Sequence, residues 1–308
     1  MEIFQKTLMK PVNFEGVGLH SGVKTSVKIL PSAENTGIIF KRVDLKSDNL
    51  IEAHFNNVKS TQLCTVLENK KSKAKISTVE HLMAAFYITG IDNALVEINN
   101  SEVPIMDGSS KDFVNIFKKA GLKKQNFKRK FLKIIKKVSS HEKEKSITIN
   151  PNNFGLKVEY ELRYKNNIIG NQKNTTEFYK DELKEIYTSR TFCLHEDIEK
   201  IKKNGLAKGG SLENALVVKD DKILNKEGLR NNKEFVNHKI LDLAGDLYLS
   251  GFRILGEIKT VCGGHLMNNI FLKEIFSNSN NYTIIDFDNE ENFKKEVVII
   301  SDKMAVNA

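Results

Sequence analysis

The chain has 308 residues, of which 40% are hydrophobic, and it carries a formal net charge of +9. This length allows two domains of ordinary size, and the apolar content excludes wholesale disorder. No apolar run is long enough to span a bilayer, no signal peptide is recognisable, and the three distant cysteines argue against disulfides, so we expect a protein of the reducing cytoplasm.

The first 120 residues read as strands interrupted by two helices. Residues 2–30 predict strands broken by the glycine-rich turn 16–22, and further alternating or apolar stretches predict strands over 37–42, 64–67 and 93–98. A helix is expected from about Ser77 to Gly90, where Ser77 and Glu80 fit a capping box. Another is expected from Ser110 to Gly121. This order is not the regular alternation of a parallel α/β fold.

Residues 123–137 combine many Lys and Arg residues with aromatic ones. Such a run is compatible with contact to nucleic acid. A charged linker that leads into a strand at 131–135 is the interpretation we favour. We therefore place a domain boundary here and predict domains over residues 1–125 and 126–308.

The second half predicts further strands and a long helix. Alternation indicates strands over 146–149 and 155–163, and the apolar run 215–218 indicates another. Helices are expected over 181–187, 196–204, about 233–250 and about 266–276. The last of these follows a strand and the segment Gly263-Gly264-His265.

The helix over 233–250 carries the first candidate for chemistry. His238 and Asp242 are four residues apart and share one helix face, with Asp246 one turn further on. A His and an Asp in this relation can bind one metal ion, although a salt-bridged surface helix has the same pattern. In the adjacent pair Glu80-His81, side chains point about 100° apart, so one can bind a metal while the other addresses its water.

His265 is the third candidate, because it follows two glycines at the start of a helix. A carboxylate such as Asp246 would favour its imidazolium, which the helix N-terminus disfavours. Two His and one Asp with an open fourth position describe a catalytic zinc site. With a Glu base and a further His to stabilise an oxyanion, the pattern indicates hydrolysis of an amide or ester.

Several stretches together resemble the UDP-3-O-acyl-N-acetylglucosamine deacetylases, which are zinc amidases at the committed step of lipid A synthesis. The resemblance extends from about residue 5 to residue 275. It is carried by the segments Gly16–Gly22, Thr78–Ala85, Gly90–Asn93, Glu102–Ser109, Ser189–Phe192, Gly209–Ser211, Glu234–Lys239 and Gly263–His265.

The resemblance implies a role for each matching residue. His81, His238 and Asp242 resemble the zinc ligands, with Fe²⁺ as a further metal for the site in the cell. Glu80 resembles the general base and His265 the protonated oxyanion partner and general acid. Thr191 resembles a hydroxyl that helps to hold the oxyanion, and Asp246 the carboxylate that orients His265.

Further implications concern substrate, partners and fold. Phe192, Asp197 and Lys239 match positions around the sugar nucleotide, and residues 193–215 match an insert that forms a passage for the acyl chain. The expected partner is a UDP-linked acylated glucosamine, with no nucleic acid, no stable membrane insertion and a monomeric chain. The implied fold is α+β, with two domains of similar topology, each a mainly antiparallel sheet with helices, and the helices packed between the two sheets.

The chain departs from the family pattern at two places. Cys262 stands where a Lys or Arg is usual, which puts one contact to the diphosphate in doubt. Asn166-Asn167 replaces a usual His-Pro pair. The alternative within enzymes is therefore a related metal-dependent amidase that acts on another acylated amino sugar.

Overall fold

The structure, a computed structural model, describes residues 2–287, so the end of the second predicted domain lies outside the described residues. Helices α1 to α6 are Glu80–Thr89, Lys111–Ala120, Lys184–Tyr187, His195–Lys203, Glu234–Tyr248 and His265–Phe276. Strands β1 to β10 are Phe4–Leu8, Val12–Val17, Lys24–Pro31, Ile38–Arg42, Leu50–Glu52, Val58–Ser60, Val66–Glu68, Lys75–Ile76, Ala94–Ile98 and Leu122–Lys128. Strands β11 to β20 are Lys130–Ile134, Val138–Glu142, Lys145–Pro151, Leu156–Arg163, Asn171–Glu177, Phe192–Leu194, Leu216–Lys219, Lys222–Ile223, Arg253–Val261 and Tyr282–Asp286.

Two larger sheets, one in each half of the chain, form the framework. The first has the order β2-β3-β9-β4-β5 and is antiparallel except where β4 runs parallel to β9. The second joins β12, β13, β19, β11 and β20, with β14 and β15 attached through β19. In both halves a helix precedes and a helix follows the strand that pairs in parallel, namely β9 and β19. The predicted α+β class with two halves of similar topology is confirmed.

Helices α1 and α5 lie in the interior. Every residue from Glu80 to Tyr87 is buried in α1, and in α5 all residues but Lys239 are buried. A helix that is buried on all sides packs between layers, as predicted. The two helices approach closely at Gly245, where a Cβ atom would lie 2.0 Å from the backbone carbonyl oxygen of Glu80. This close contact brings the candidate residues of α1 and those of α5 to one site.

Two local predictions are wrong. The linker expected before residue 131 is instead strand, since β10 pairs antiparallel with β1, whereas the strand expected at 131–135 is present as β11. The capping box is not formed, because the Ser77 hydroxyl donates to the Ser101 carbonyl and Glu80 points elsewhere. The boundary near residue 125 falls inside β10 and stays a prediction.

One apolar core extends through both halves. It includes Phe40 and Phe86 from the first half and Phe235 and Phe271 from the second, all fully buried. No helix in the described part of the chain is long and apolar enough to cross a membrane.

Candidate active site

The structure brings together His81, His238 and Asp242, which are far apart in the sequence. One donor atom from each lies within 4.8 Å of the others, and all three residues are buried. The Asp242 Oδ1 atom lies 3.4 Å from His81 Nε2 and 3.3 Å from His238 Nε2. This oxygen has no hydrogen-bond partner among the described residues.

The two distances from Asp242 Oδ1 match the donor spacing around a tetrahedral metal ion. Donors around zinc are separated by about 3.3–3.4 Å, because each bond to nitrogen or oxygen is about 2.0–2.1 Å long. Burial lowers the pKa of His238 to about 3, with further lowering from His81 and Lys239, so its ring is neutral at neutral pH. Neutral imidazole and ionised carboxylate are the forms that bind a cation. The residues present therefore fit a metal site, and their role as ligands stays a prediction.

The backbone at Ser189 orients His238. The His238 Nδ1 atom lies 3.1 Å from the Ser189 carbonyl oxygen, which leaves Nε2 directed at Asp242. Arg190 fixes this backbone, because its main-chain N–H and its guanidinium both donate to Glu234 Oε1 at the start of α5. The motifs 189–192 and 234–239 therefore act as one structural unit.

Lys239 contacts the candidate ligand Asp242. Its Nζ atom donates to Asp242 Oδ2 at 2.8 Å and lies 5.4 Å above the Phe192 ring. Burial disfavours the Asp242 charge, but His238 and Lys239 outweigh it and hold the pKa of this carboxyl well below its usual range. The contact of Lys239 with substrate stays a prediction, and no motif indicated its contact with Asp242.

Glu80 begins α1 and turns its carboxylate inward beside His81. Its Oε1 atom lies 3.8 Å from His265 Nε2. Burial raises the pKa of Glu80, against the opposing effect of His265 and His81. A cation held next to His81 would act in the same direction as these two rings and favour the carboxylate.

His265, the first residue of α6, is paired with Asp246 as expected. Its Nδ1 atom lies 2.7 Å from Asp246 Oδ2, which also accepts a hydrogen bond from Asn268 Nδ2 at 2.8 Å. Burial opposes the imidazolium, but Asp246 and Glu80 outweigh it and raise the pKa of His265 to about 10. His265 can therefore donate a proton from Nε2 at neutral pH. No motif indicated Asn268 as a partner of Asp246.

An apolar cavity of about 320 Å³ opens beside Thr191 and Phe192. The Phe192 ring lies 6.3 Å from the His238 ring, centre to centre. Much of the cavity wall comes from the predicted insert 193–215, and residues of the first half, together with neighbours of the insert in the second half, contribute the rest. Its lining includes Leu19, His20, Ile198, Ile201, Ala207 and Leu212.

Other candidate positions lie at the edges of this region. Asp197 is exposed on α4. Cys262 has a left-handed backbone (φ 50°), and its Sγ atom lies 3.8 Å from the Arg163 carbonyl oxygen. Asn166 and Asn167 line a separate polar cleft of about 760 Å³.

Glu102 joins three of the sequence motifs and was missed as a structural residue. Its buried carboxylate accepts hydrogen bonds from the main-chain N–H groups of His20 and Ser21 and from the Thr78 hydroxyl. A Cβ atom at Gly18 would lie 2.3 Å from this carboxylate, so a larger residue there would displace the carboxylate. The turn 16–22 is thereby held against the start of α1.

Three converging donors, an adjacent buried carboxylate and a carboxylate-paired histidine are typical of metal-dependent hydrolases. Residues 5–277 match the family model of the UDP-3-O-acyl N-acetylglycosamine deacetylases. The chain therefore belongs to this family, whose members hydrolyse an amide bond.

Curated relatives agree with the family. The chain is 42% identical over 286 residues to the UDP-3-O-acyl-N-acetylglucosamine deacetylase of Geobacter sp. (strain M21), covering 92% of this chain and 93% of the relative. It is 42% identical to the protein of that name from Teredinibacter turnerae, over 94% of this chain and 95% of the relative. The corresponding protein of Idiomarina loihiensis is 39% identical, with the same coverage.

Proposed function

We propose that this chain removes the N-acetyl group from a UDP-linked 3-O-acyl-N-acetylglucosamine, the committed step of lipid A synthesis. The observation that carries the proposal is the convergence of His81, His238 and Asp242 in a chain of this family. Two imidazoles and one carboxylate that converge on one point suit Zn²⁺, with Fe²⁺ as the other metal for which this donor set is suitable. When bound, the ion supplies Lewis acidity at the amide carbonyl.

The proton transfers are assigned to two residues of the chain. Glu80 accepts a proton from the attacking water, whose oxygen forms the new bond to the acetyl carbon. His265 donates its Nε2 proton to the departing nitrogen as the C–N bond breaks. The products are acetate and the free amine, so one water is consumed. The Thr191 hydroxyl and the His265 imidazolium stabilise the oxyanion before it collapses.

The substrate is assigned to the surroundings of this centre. The cavity lined by residues of 193–215 is apolar and next to Thr191, which suits an acyl chain. Lys239, Phe192 and Asp197 are proposed to contact the sugar nucleotide. Cys262 cannot replace a cation at the diphosphate, which keeps a related acylated amino sugar as the alternative substrate.

We propose that the chain acts as a monomer in the cytoplasm without nucleic acid. The basic run 123–137 supports the absence of a nucleic-acid partner, because its charges are partly engaged within the fold. Arg129 is buried and its guanidinium donates to Asp92 at 2.8 Å. Lys130 pairs with Asp286 at 2.9 Å. Both pairs reduce the positive field that nucleic acid would require.

The test is acetate release from the purified protein together with its metal content. We expect one zinc ion per chain and hydrolysis of UDP-3-O-acyl-N-acetylglucosamine that a chelator abolishes and added zinc restores. UDP-N-acetylglucosamine without the 3-O-acyl chain should be hydrolysed far more slowly, because the apolar cavity stays empty. Metal-bound protein that hydrolyses neither compound would overturn the proposed substrate.

A further inference from the structure

Thr65 contacts both of the carboxylates that serve the proposed proton transfers. It lies between β6 and β7 and is only 2% exposed. Its main-chain N–H donates to Glu80 Oε2 at 3.0 Å, and its hydroxyl donates to Asp246 Oδ1 at 2.6 Å. Glu80 belongs to α1 and Asp246 to α5, so one residue connects the two helices at the site.

The hydroxyl completes the hydrogen bonding of Asp246. Oδ2 is occupied by His265 and Asn268, and Oδ1 accepts from Thr65. With donors at both oxygens, the carboxylate cannot turn about its Cβ–Cγ bond without breaking a hydrogen bond. Without the hydroxyl, a buried anionic oxygen loses its partner, and the carboxylate can rotate. The His265 ring would rotate with it, because Nδ1 is attached to Oδ2.

We infer that Thr65 is a positioning residue that fixes the proposed base Glu80 and the proposed acid His265 relative to each other. The inference rests on the proposed roles of Glu80 and His265. In the proposed mechanism Glu80 takes a proton from the attacking water and His265 gives one to the departing nitrogen, and His265 Nε2 lies 3.8 Å from Glu80 Oε1. Small errors in such a geometry are costly, since misplacement by about 1 Å can reduce rate about 10²-fold.

The ordinary alternative is that Thr65 serves the fold alone. Its carbonyl accepts a long hydrogen bond of 3.5 Å from the N–H of Val79, before α1. That contact and the N–H to Glu80 use main-chain atoms, so they persist when only the side chain is changed. Side-chain variants therefore separate the hydroxyl's effect on Asp246 from the role of the backbone.

The variants are Thr65→Val, which keeps the shape, and Thr65→Ser, which keeps the hydroxyl. Thr65→Val should lower kcat by about 10–100-fold, the usual cost of losing a residue that orients a catalytic group, with KM nearly unchanged. Thr65→Ser should restore most of kcat. Metal content should equal that of the wild type in both. If Thr65→Val is poorly folded by circular dichroism, Thr65→Ala removes the same hydroxyl without a buried methyl clash.

A double-mutant cycle with His265→Ala tests whether Thr65 acts through His265. Once His265 is absent, Thr65→Val should cost less than about threefold, because contacting residues are not additive. An equal loss in both backgrounds, or a Thr65→Ser variant as slow as Thr65→Val, would show that the role is structural and would overturn the inference.

A spectroscopic measurement keeps this test independent of the proposed function. In protein with ¹⁵N-labelled histidine, the His265 Nδ1–H proton in its short bond to Asp246 should give a downfield signal at fixed pH. We expect the signal in the wild type and in Thr65→Ser, and a shifted or broadened signal in Thr65→Val. An unmoved signal in Thr65→Val refutes the positioning role. Absence of deacetylation by the wild type, with the signal moving as expected, would refute only the substrate.

Discussion

Replacing Asp246 by Asn should move the basic limb of the pH–rate profile to lower pH. In the proposed mechanism His265 must be protonated to act, so activity should fall as pH rises through the pKa of His265 in the folded protein. Burial lowers the pKa of His265, but the negative charges of Asp246 and Glu80 outweigh burial and raise this pKa to about 10. Removing the Asp246 charge therefore lowers the pKa, and the limb follows it downward.

The size of the shift follows from the contact between Asp246 and His265. Unit charges at the observed 2.7 Å would interact by about 6 kcal/mol at an effective dielectric constant of about 20. This is an upper bound, because both charges are delocalised over several atoms. A nearby opposite charge usually shifts a pKa by about 1–3 units. Since Glu80 remains in Asp246→Asn, we expect the basic limb of this variant's pH–rate profile to lie between roughly pH 7 and 9.

The assay is kcat/KM against pH, which reports groups of the free enzyme. Asp48→Asn is the matched control, because Asp48 is exposed in a surface loop at φ 49°, a backbone region that Asn tolerates. Its profile should equal that of the wild type. His265→Ala should abolish the basic limb. A basic limb unchanged in both Asp246→Asn and His265→Ala would remove His265 from the mechanism.

Three further predictions concern the metal, the base and the helix contact. His81→Ala, His238→Ala and Asp242→Ala should each lose metal and activity together while circular dichroism stays native; a variant with full metal content and normal turnover would exclude that residue as a ligand. Glu80→Gln should keep its metal, measured by mass spectrometry, yet turn over about 10²–10⁴-fold more slowly. Gly245→Ala should lower the free energy of unfolding by about 1–3 kcal/mol, because its Cβ meets the Glu80 carbonyl, and an unchanged melting temperature would contradict this packing.

Local patterns were sufficient for the elements that carry the proposed ligands. The helical spacing of His238 and Asp242 and the terminal Gly90 both predicted helices that the structure contains. Prediction failed where distant partners decide the outcome. Residues 122–128 look like a charged linker, but their main chain pairs with β1 more than 110 residues earlier.

The same reason explains the errors within the site. Ser77 and Glu80 have the spacing of a capping box, yet Glu80 is drawn to Thr65 and towards His265. Thr65 has no recognisable motif, because its significance comes from contacts with residues 15 and 181 positions away. Only the folded chain shows that relation. The resemblance to the family supplied roles for residues whose spacing alone left alternatives open.

The proposed metal ligands come from opposite halves of the chain, and this affects the order of events during synthesis. His81 leaves the ribosome more than 150 residues before His238 and Asp242. At about 5–20 residues per second, roughly 8–30 s pass between the first ligand and the others. Of the three proposed ligands, the nascent first half therefore offers only one imidazole, which alone would retain a metal ion poorly. Metal acquisition has to wait until α5 has been made and has packed against α1, so a loaded metal ion reports that the two halves have already met.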